Sequence, residues 1–264
     1  MSKRLFAGEG HVSAEPEVTL IIPVYDEEHT IVPLVDEIKR CVQPAWRALI
    51  IYDQDDDATL RKLDEITSQH DNVVFVRNSR GPGIVNAFRT GFAQADTPFV
   101  VPIMADLSDM PETVNVMHER IREGYDIVVA SRYAPGGAKI GGPWLKNVLS
   151  RIANGTLHAL TRIPTHDMTN AFIMYRRPML DTITIESTGG FEITMEIIAK
   201  AFVLGYRITE VPTVNRDRAA GKSKFKLAHW ILKYLYWFLY ILGCSLRRRL
   251  RRGAEPEVRS KAAR

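Results

Sequence analysis

Residues 99–109 read Phe99-Val100-Val101-Pro102-Ile103-Met104-Ala105-Asp106-Leu107-Ser108-Asp109, an apolar β-rich run that turns at once into carboxylates. A short buried strand ending in acids puts Asp106 and Asp109 at the carboxyl end of a sheet strand, where open α/β sheets bind their ligands. Hard cations such as Mg²⁺ and Mn²⁺ take oxygen ligands and share them with substrate phosphates, so one or two carboxylates there suffice for a metal-bound diphosphate. The same residues also fit a solvated turn before a helix that carries Pro111 and Glu112 in its first turn.

Outward from this stretch, strand and helix patterns alternate. Runs at 18–24, 48–52, 73–76, 99–104 and 127–130 are short and rich in β-branched residues. Helical patterns fill 29–40, 58–70, 83–95 and 112–123, with Gly124 as a stop. This βαβα order predicts an α/β domain: a mostly parallel sheet, right-handed crossovers, helices on both faces and functional loops at one edge.

After Arg132 the rhythm changes. Tyr133-Ala134-Pro135-Gly136-Gly137-Ala138 and Gly141-Gly142-Pro143 predict a mobile loop, and 144–160 an amphipathic helix. A strand at 171–175, a helix at 192–204 and a strand at 207–214 follow. A basic loop, Arg216 to Lys224, then leads into an apolar C-terminal helix.

The chain has 264 residues, 45% hydrophobic and 25% charged, enough for one full α/β core with an appendage. Cys41 and Cys244 are the only cysteines, far apart and without metal-ligand spacing, which excludes a disulfide scaffold and a zinc site and fits a reducing compartment. Residues 1–17 have no apolar core and read as a flexible tail. The net charge of +4 divides unevenly: residues 247–264 hold eight Lys or Arg against two Glu, leaving −2 for the rest. The body is therefore not a nucleic-acid surface.

Residues 227–246 read as an apolar aromatic helix, within which 230–246 is the most apolar stretch of the chain. Residues 230–246 would reach roughly 25 Å as a helix, short of a bilayer core, and Lys233 interrupts them. Lys226, His229, Lys233, Tyr236 and Tyr240 make a polar and aromatic stripe, and the arginines from Arg247 onward would meet anionic lipid. An interfacial membrane helix, a packing or homo-oligomer helix, and a helix bearing a nucleic-acid tail are the three readings open at this point.

Five motifs in order now carry a resemblance. Ile22-Pro23-Val24-Tyr25-Asp26-Glu27, the acidic turn Asp53-Gln54-Asp55-Asp56-Asp57, and Ala105-Asp106-Leu107-Ser108 resemble family 2 glycosyltransferases. Ser131-Arg132-Tyr133 with Gly136-Gly137, and Arg218 to Lys224, resemble the dolichol-phosphate mannosyltransferase-like branch. The similarity spans about residues 18–224.

The resemblance implies a GT-A type nucleotide-sugar fold over 18–226 and inverting, metal-assisted transfer from a donor such as GDP-mannose or UDP-glucose to a polyprenyl phosphate. Pro23, Tyr25, Glu27, Asp53, Gly83, Ala105, Asp106, Asp167 and Glu192 match the donor side. Asp106 with Ser108 and Asp109 would hold Mg²⁺ or Mn²⁺, and Arg218 and Lys224 the diphosphate. Arg132, Lys146 and Ser150 match the acceptor-phosphate grip; Lys146 and Ser150 share a helix face by their i, i+4 spacing. The chain departs from the pattern at Met104, where the family often carries Asp, and at Tyr52 and Gln54.

The implied setting is the cytoplasmic face of a membrane, with the enzyme peripheral or partly inserted. Two other classes stay open: a glycosyltransferase with a soluble glycan or protein acceptor, and a non-catalytic nucleotide-binding module. A nicotinamide enzyme is disfavoured because the dinucleotide fingerprint is missing.

Overall fold

The computed structural model describes residues 15–217 and 227–254. A seven-stranded sheet forms the centre: β1 (Val18–Pro23), β2 (Trp46–Tyr52), β3 (Val73–Arg77), β4 (Phe99–Pro102), β5 (Ile127–Ser131), β7 (Ile173–Arg176) and β8 (Ile208–Pro212), in the order β3-β2-β1-β4-β7-β5-β8. β7 runs antiparallel to β4 and β5, and every other pairing in the sheet is parallel. The expected α/β class, mostly parallel sheet and two-sided helical cover are all present.

Side chains alternate along each strand, so each residue's parity decides its face. Ile21, Leu49, Ile51, Val100 and Val129 point to one core, where they meet Phe88 and Phe92 of α3 (Ile84–Gln94) and Ile197 of α7 (Glu192–Leu204). Leu20, Ile22, Ile50, Val101 and Val128 point to the other, against Leu34 and Ile38 of α1 (Ile31–Cys41) and Met117 and Ile121 of α4 (Thr113–Arg122). α3 approaches β1 closely because Gly91 carries no side chain; a Cβ there would lie 2.6 Å from Ile21.

Three segments differ from expectation. The helix expected at 58–70 is a 3₁₀ turn (Ala58–Lys62) followed by the short α2 (Leu63–Thr67). The final strand breaks at Thr213, whose amide still donates to Ser131 O at 3.0 Å, and resumes as β9 (Val214–Arg216). β9 leaves the main sheet to pair in parallel with β6 (Ala138–Ile140). The loop expected to be mobile is thus partly fixed by a strand, since its backbone groups find a ladder partner some 75 residues later in the chain.

α5 (Trp144–Thr161) and α6 (Arg177–Asp181) follow the second half of the sheet. The C-terminal helix α8 (Leu227–Ala254) runs beyond the expected end at 246, because arginine is a good helix former and no glycine or proline lies between Leu246 and Gly253. α8 packs on α7 and α5, burying Trp237 and Ile241. Among the described residues, no helix is long and apolar enough to cross a membrane.

Candidate active site

The carboxyl ends of β1, β2, β4, β5 and β8 share one edge, and Tyr25, Glu27, Asp53, Ala105, Asp106, Ser108, Asp109 and Arg132 stand on the segments that leave it, whereas Lys146, Ser150 and Glu192 lie on α5 (Trp144–Thr161) and α7. After β1, the amide of Val24 donates to Ile51 O, and Asp26 turns the chain with φ 56°. This turn is fastened to the next loop. Asp57 Oδ1 accepts from the amides of Asp26 (3.2 Å) and Thr59 (2.9 Å), and Thr59 Oγ1 accepts from the amide of Glu27 at 3.0 Å. Pro23 is buried, Tyr25 is 49% exposed, and Glu27 Oε2 accepts from Thr30 Oγ1 at 2.7 Å.

Asp53 and Gly83, separate in sequence, are brought into contact. Asp53 Oδ2 accepts from the Gly83 amide at 2.8 Å, while Oδ1 accepts from Asn78 Nδ2 at 2.8 Å. Gly83 sits at φ 105°, a conformation L side chains rarely adopt, which lets its amide turn toward the carboxylate. Asn78 also donates to Gly81 O and accepts from Thr90, locking the glycine turn. The acidic turn of the sequence includes Asp57 without giving it this role, and Asn78 belongs to none of the motifs. The Asp-x-Thr capping pattern at 57–59 was the available signal for the first.

At the end of β4, Ala105, Asp106 and Asp109 are all buried. Leu107 takes φ 60°, and the resulting turn lets the Ser108 amide donate to Asp106 Oδ1 at 3.1 Å. Asp109 accepts from the Met104 amide (3.3 Å) and from Asn215 Nδ2 (3.1 Å). Burial, reinforced by the nearby Asp106 charge, pushes the Asp109 carboxyl up to about 6, although the Met104 and Asn215 hydrogen bonds and the Arg132 charge pull the other way. β9 buttresses this turn: Ser108 O accepts from the Arg216 amide at 2.9 Å and from Asn215 Nδ2 at 3.1 Å. The basic loop bearing Arg218 and Lys224 lies outside the described residues.

The hard oxygen donors Asp106 and Asp109 suit Mg²⁺ or Mn²⁺, and their mutual repulsion is what a divalent ion would relieve. Among the described residues no group of three His, Cys, Asp or Glu side chains could enclose a metal. A metal here would complete its shell with phosphate oxygens and water.

At the end of β5, Arg132 and Asp167 form a buried pair. Nε and Nη2 of Arg132 donate to the two carboxylate oxygens at 2.7 and 2.8 Å, and Nη2 also donates to Thr169 Oγ1 at 2.9 Å. Burial works to lower the Arg132 pKa, but Asp167 outweighs it and holds the guanidinium charged. Ser150 joins the same network: Tyr133 Oη donates to Ser150 Oγ at 2.9 Å, and Asn154 Nδ2 donates to Ser150 O and to Thr169 Oγ1. Lys146 lies on α5 one turn before Ser150, its side chain outside the described set. Thr169 and Asn154 were not singled out in the sequence, since neither has a motif of its own.

Glu192 is buried at the start of α7 and accepts from the amides of Gly189 (2.9 Å) and Gly190 (2.6 Å). Glu196, one turn on, accepts from the amides of Glu186 and Ser187 and from Lys200 Nζ. Both carboxylates therefore tie down residues 186–190. Tyr234 of α8 is held protonated chiefly by burial and then by the Glu192 charge, opposed by Arg132. α8 thus brings Tyr234 within electrostatic reach of Glu192 and Arg132.

The chain is similar to known proteins over most of its length. Over 242 residues the chain is 28% identical to polyprenol monophosphomannose synthase of Mycolicibacterium smegmatis, covering 85% of the chain and 91% of that protein. It is 30% identical over 223 residues to dolichol-phosphate mannosyltransferase of Pyrococcus furiosus, covering 83% of the chain but 62% of that longer protein. Glucosyl-3-phosphoglycerate synthase of Mycobacterium tuberculosis, solved with UDP, has the same fold, with a TM-score of 0.66 at 16% identity over 88% of this chain and 82% of that one. The same enzyme with Mn²⁺, UDP-glucose and phosphoglyceric acid also gives a TM-score of 0.66, at 17% identity over 88% and 81% of the two chains. Residues 19–184 match the glycosyl transferase family 2 profile, and the chain is a glycosyltransferase of that family.

Proposed function

We propose that the enzyme moves a monosaccharide, with inversion, from a nucleotide sugar to a polyprenyl phosphate at a membrane surface. The observation that carries this reading is the placement of the buried Asp106 and Asp109 within electrostatic reach of Arg132 at one sheet edge. That arrangement sets a cation site for a departing diphosphate beside N–H donors for an attacking phosphate. The relatives named for polyprenol and dolichol phosphate support the acceptor class.

In this reading the exposed Tyr25 ring, Pro23 and Glu27 border the nucleoside, and the Asp53–Gly83 contact shapes the pocket for its base. Asp106, Asp109 and Ser108 would hold Mg²⁺ or Mn²⁺, which would supply positive charge to offset that growing on the diphosphate. Arg218 and Lys224 add positive charge to the same oxygens. An acceptor phosphate with a second pKa of about 6 is largely ionised at neutral pH, so orientation by Arg132, Lys146 and Ser150 replaces a general base.

The membrane reading rests on two contacting helices with exposed apolar side chains. α5 presents Trp144 (74% exposed), Leu149 and Ile152, and α8 presents Leu232 (72% exposed), Leu235 and Leu239. The arginines that follow Leu246 in the sequence would be attracted to anionic headgroups, each contributing about 1 kcal/mol near a charged surface. The cytoplasmic leaflet supplies such a surface.

The decisive assay supplies a short-chain polyprenyl phosphate with radiolabelled GDP-mannose or UDP-glucose and Mg²⁺ or Mn²⁺. Label should pass into the organic phase; retention of all label in water with both donors overturns the reading. Removing residues 247–264 should weaken vesicle binding while leaving turnover of the short acceptor unchanged.

A further inference from the structure

We infer that Asp167 is a positioning residue that acts on transfer through Arg132 and does not itself touch either substrate. This deepens the proposed function, because it rests on the assignment of Arg132 to the acceptor phosphate. The argument is one of hydrogen-bond capacity. A carboxylate offers about four lone-pair sites on its two oxygens. Asp167 Oδ2 already accepts from Arg132 Nε (2.7 Å) and from the Arg132 amide (3.1 Å). Oδ1 accepts from Arg132 Nη2 (2.8 Å), Thr169 Oγ1 (3.1 Å) and the Thr169 amide (3.3 Å). The side chain is fully buried and its acceptor sites are filled, so neither a sugar hydroxyl nor a proton in transit has a place on it.

The guanidinium is left with a defined remainder. Nε and Nη2 are committed, whereas Nη1 makes no hydrogen bond among the described residues. A bidentate fork fixes the guanidinium plane, so Asp167 sets the direction in which the two Nη1 hydrogens point. The pair carries no net charge. What it presents to a phosphate is an aimed pair of donors, and the aim depends on the carboxylate. The Tyr133 ring, 5.3 Å from the Arg132 guanidinium carbon, and the Tyr133–Ser150 hydrogen bond extend the same framework toward α5. Ion pairing for stability alone would not require this, since apolar residues of similar volume hold a core as well.

A double-mutant cycle on the full chain tests the inference: wild type, Asp167→Asn, Arg132→Met and the double variant, each assayed with short-chain polyprenyl phosphate. Asp167→Asn should lower kcat/KM by about 10- to 100-fold, the range for hydrogen bonds to charged groups, with the loss appearing in acceptor KM and nucleoside diphosphate affinity unchanged. In the Arg132→Met background the same substitution should cost less than about twofold, because its only route is already gone. Losses that multiply across the cycle overturn the inference, as does an acid limb of the kcat profile that disappears in Asp167→Asn. The Arg132 Nε–H resonance of the unliganded protein provides a readout that needs no turnover. It should be sharp and slowly exchanging in wild type and lost in Asp167→Asn; an unchanged signal overturns the inference. Should wild type transfer no sugar to polyprenyl phosphate, the proposed function falls while the resonance still reports on the pair. Thr169→Val, which removes one fork partner without touching the ion pair, should shift acceptor KM in the same direction if the single variants fold poorly.

Discussion

Asp109 and Asp167 are buried carboxylates at the same edge of the same sheet, held in opposite ways. Asp167 has a guanidinium locked onto both oxygens, so burial and charge are settled inside the protein. Asp109 has an amide and an asparagine for partners, with Asp106 as a like-charged neighbour, and its carboxyl is pushed up to about 6. The difference teaches how one edge divides its labour. A carboxylate supplied with its own cation becomes scaffolding, whereas one buried without a cation becomes a place for an external one.

The largest effect should come from the carboxylates after β4. Asp106→Ala should reduce transfer by about 1,000-fold or more, because stabilisation of the leaving diphosphate is a several-kcal/mol term, while the melting temperature stays near wild type. A variant that keeps a tenth of its activity in a steady-state assay would show that the metal assignment is misplaced. On the paired side the cost should fall on the fold as well as on acceptor binding. Arg132→Met strands Asp167 without its cation and should lower unfolding free energy by about 3–5 kcal/mol in urea titrations.

Asp109→Asn sharpens the contrast through pH. The folded pKa of Asp109 is raised above its ordinary value of 3.8 to about 6, so its favourable contribution is complete below about pH 4 and is lost as pH rises through 6. Neutral asparagine escapes that penalty. The variant should therefore gain up to about 3 kcal/mol over wild type at pH 8 and nothing at pH 4, at 1.36 kcal/mol per pKa unit. Wild-type Mn²⁺ binding, followed by calorimetry, should weaken as pH drops below 6 because protons compete for the same oxygens; a flat profile would exclude Asp109 as a ligand. The smallest effect concerns packing beneath the donor loops. Gly91→Ala forces a methyl onto Ile21 and should cost about 1–3 kcal/mol of stability, raising donor KM before acceptor KM.

Much of the donor half is legible in the sequence because its strands are short apolar runs directly followed by the residues that do chemistry. Asp53 and Asp106 each stand within four residues of a strand end, so locating the strand locates the carboxylate. The contact between Asp53 and Gly83 is not legible, since it depends on β2 and β3 pairing in register and on the turn built by Asn78. The acceptor half is less readable still. Arg132 and Asp167 sit 35 residues apart with a loop, β6 and α5 between them, and nothing in either local pattern marks the other as its partner. The separation of β9 from β8 is equally hidden, because a half-buried three-residue strand is too short to show a periodicity of its own.

The order of strands and helices, the position of the acids at strand ends and the family motifs follow from sequence alone, because hydrophobic period and turn chemistry are local properties. Which buried acid receives a partner is decided by tertiary structure. The antiparallel insertion of β7 between β4 and β5 brings residues 167–170 to the edge where Arg132 emerges, so Asp167 takes the guanidinium while Asp109 accepts only from an amide and an asparagine. A charge is paired or left open according to which chains meet around it, and that meeting exists only in the folded protein.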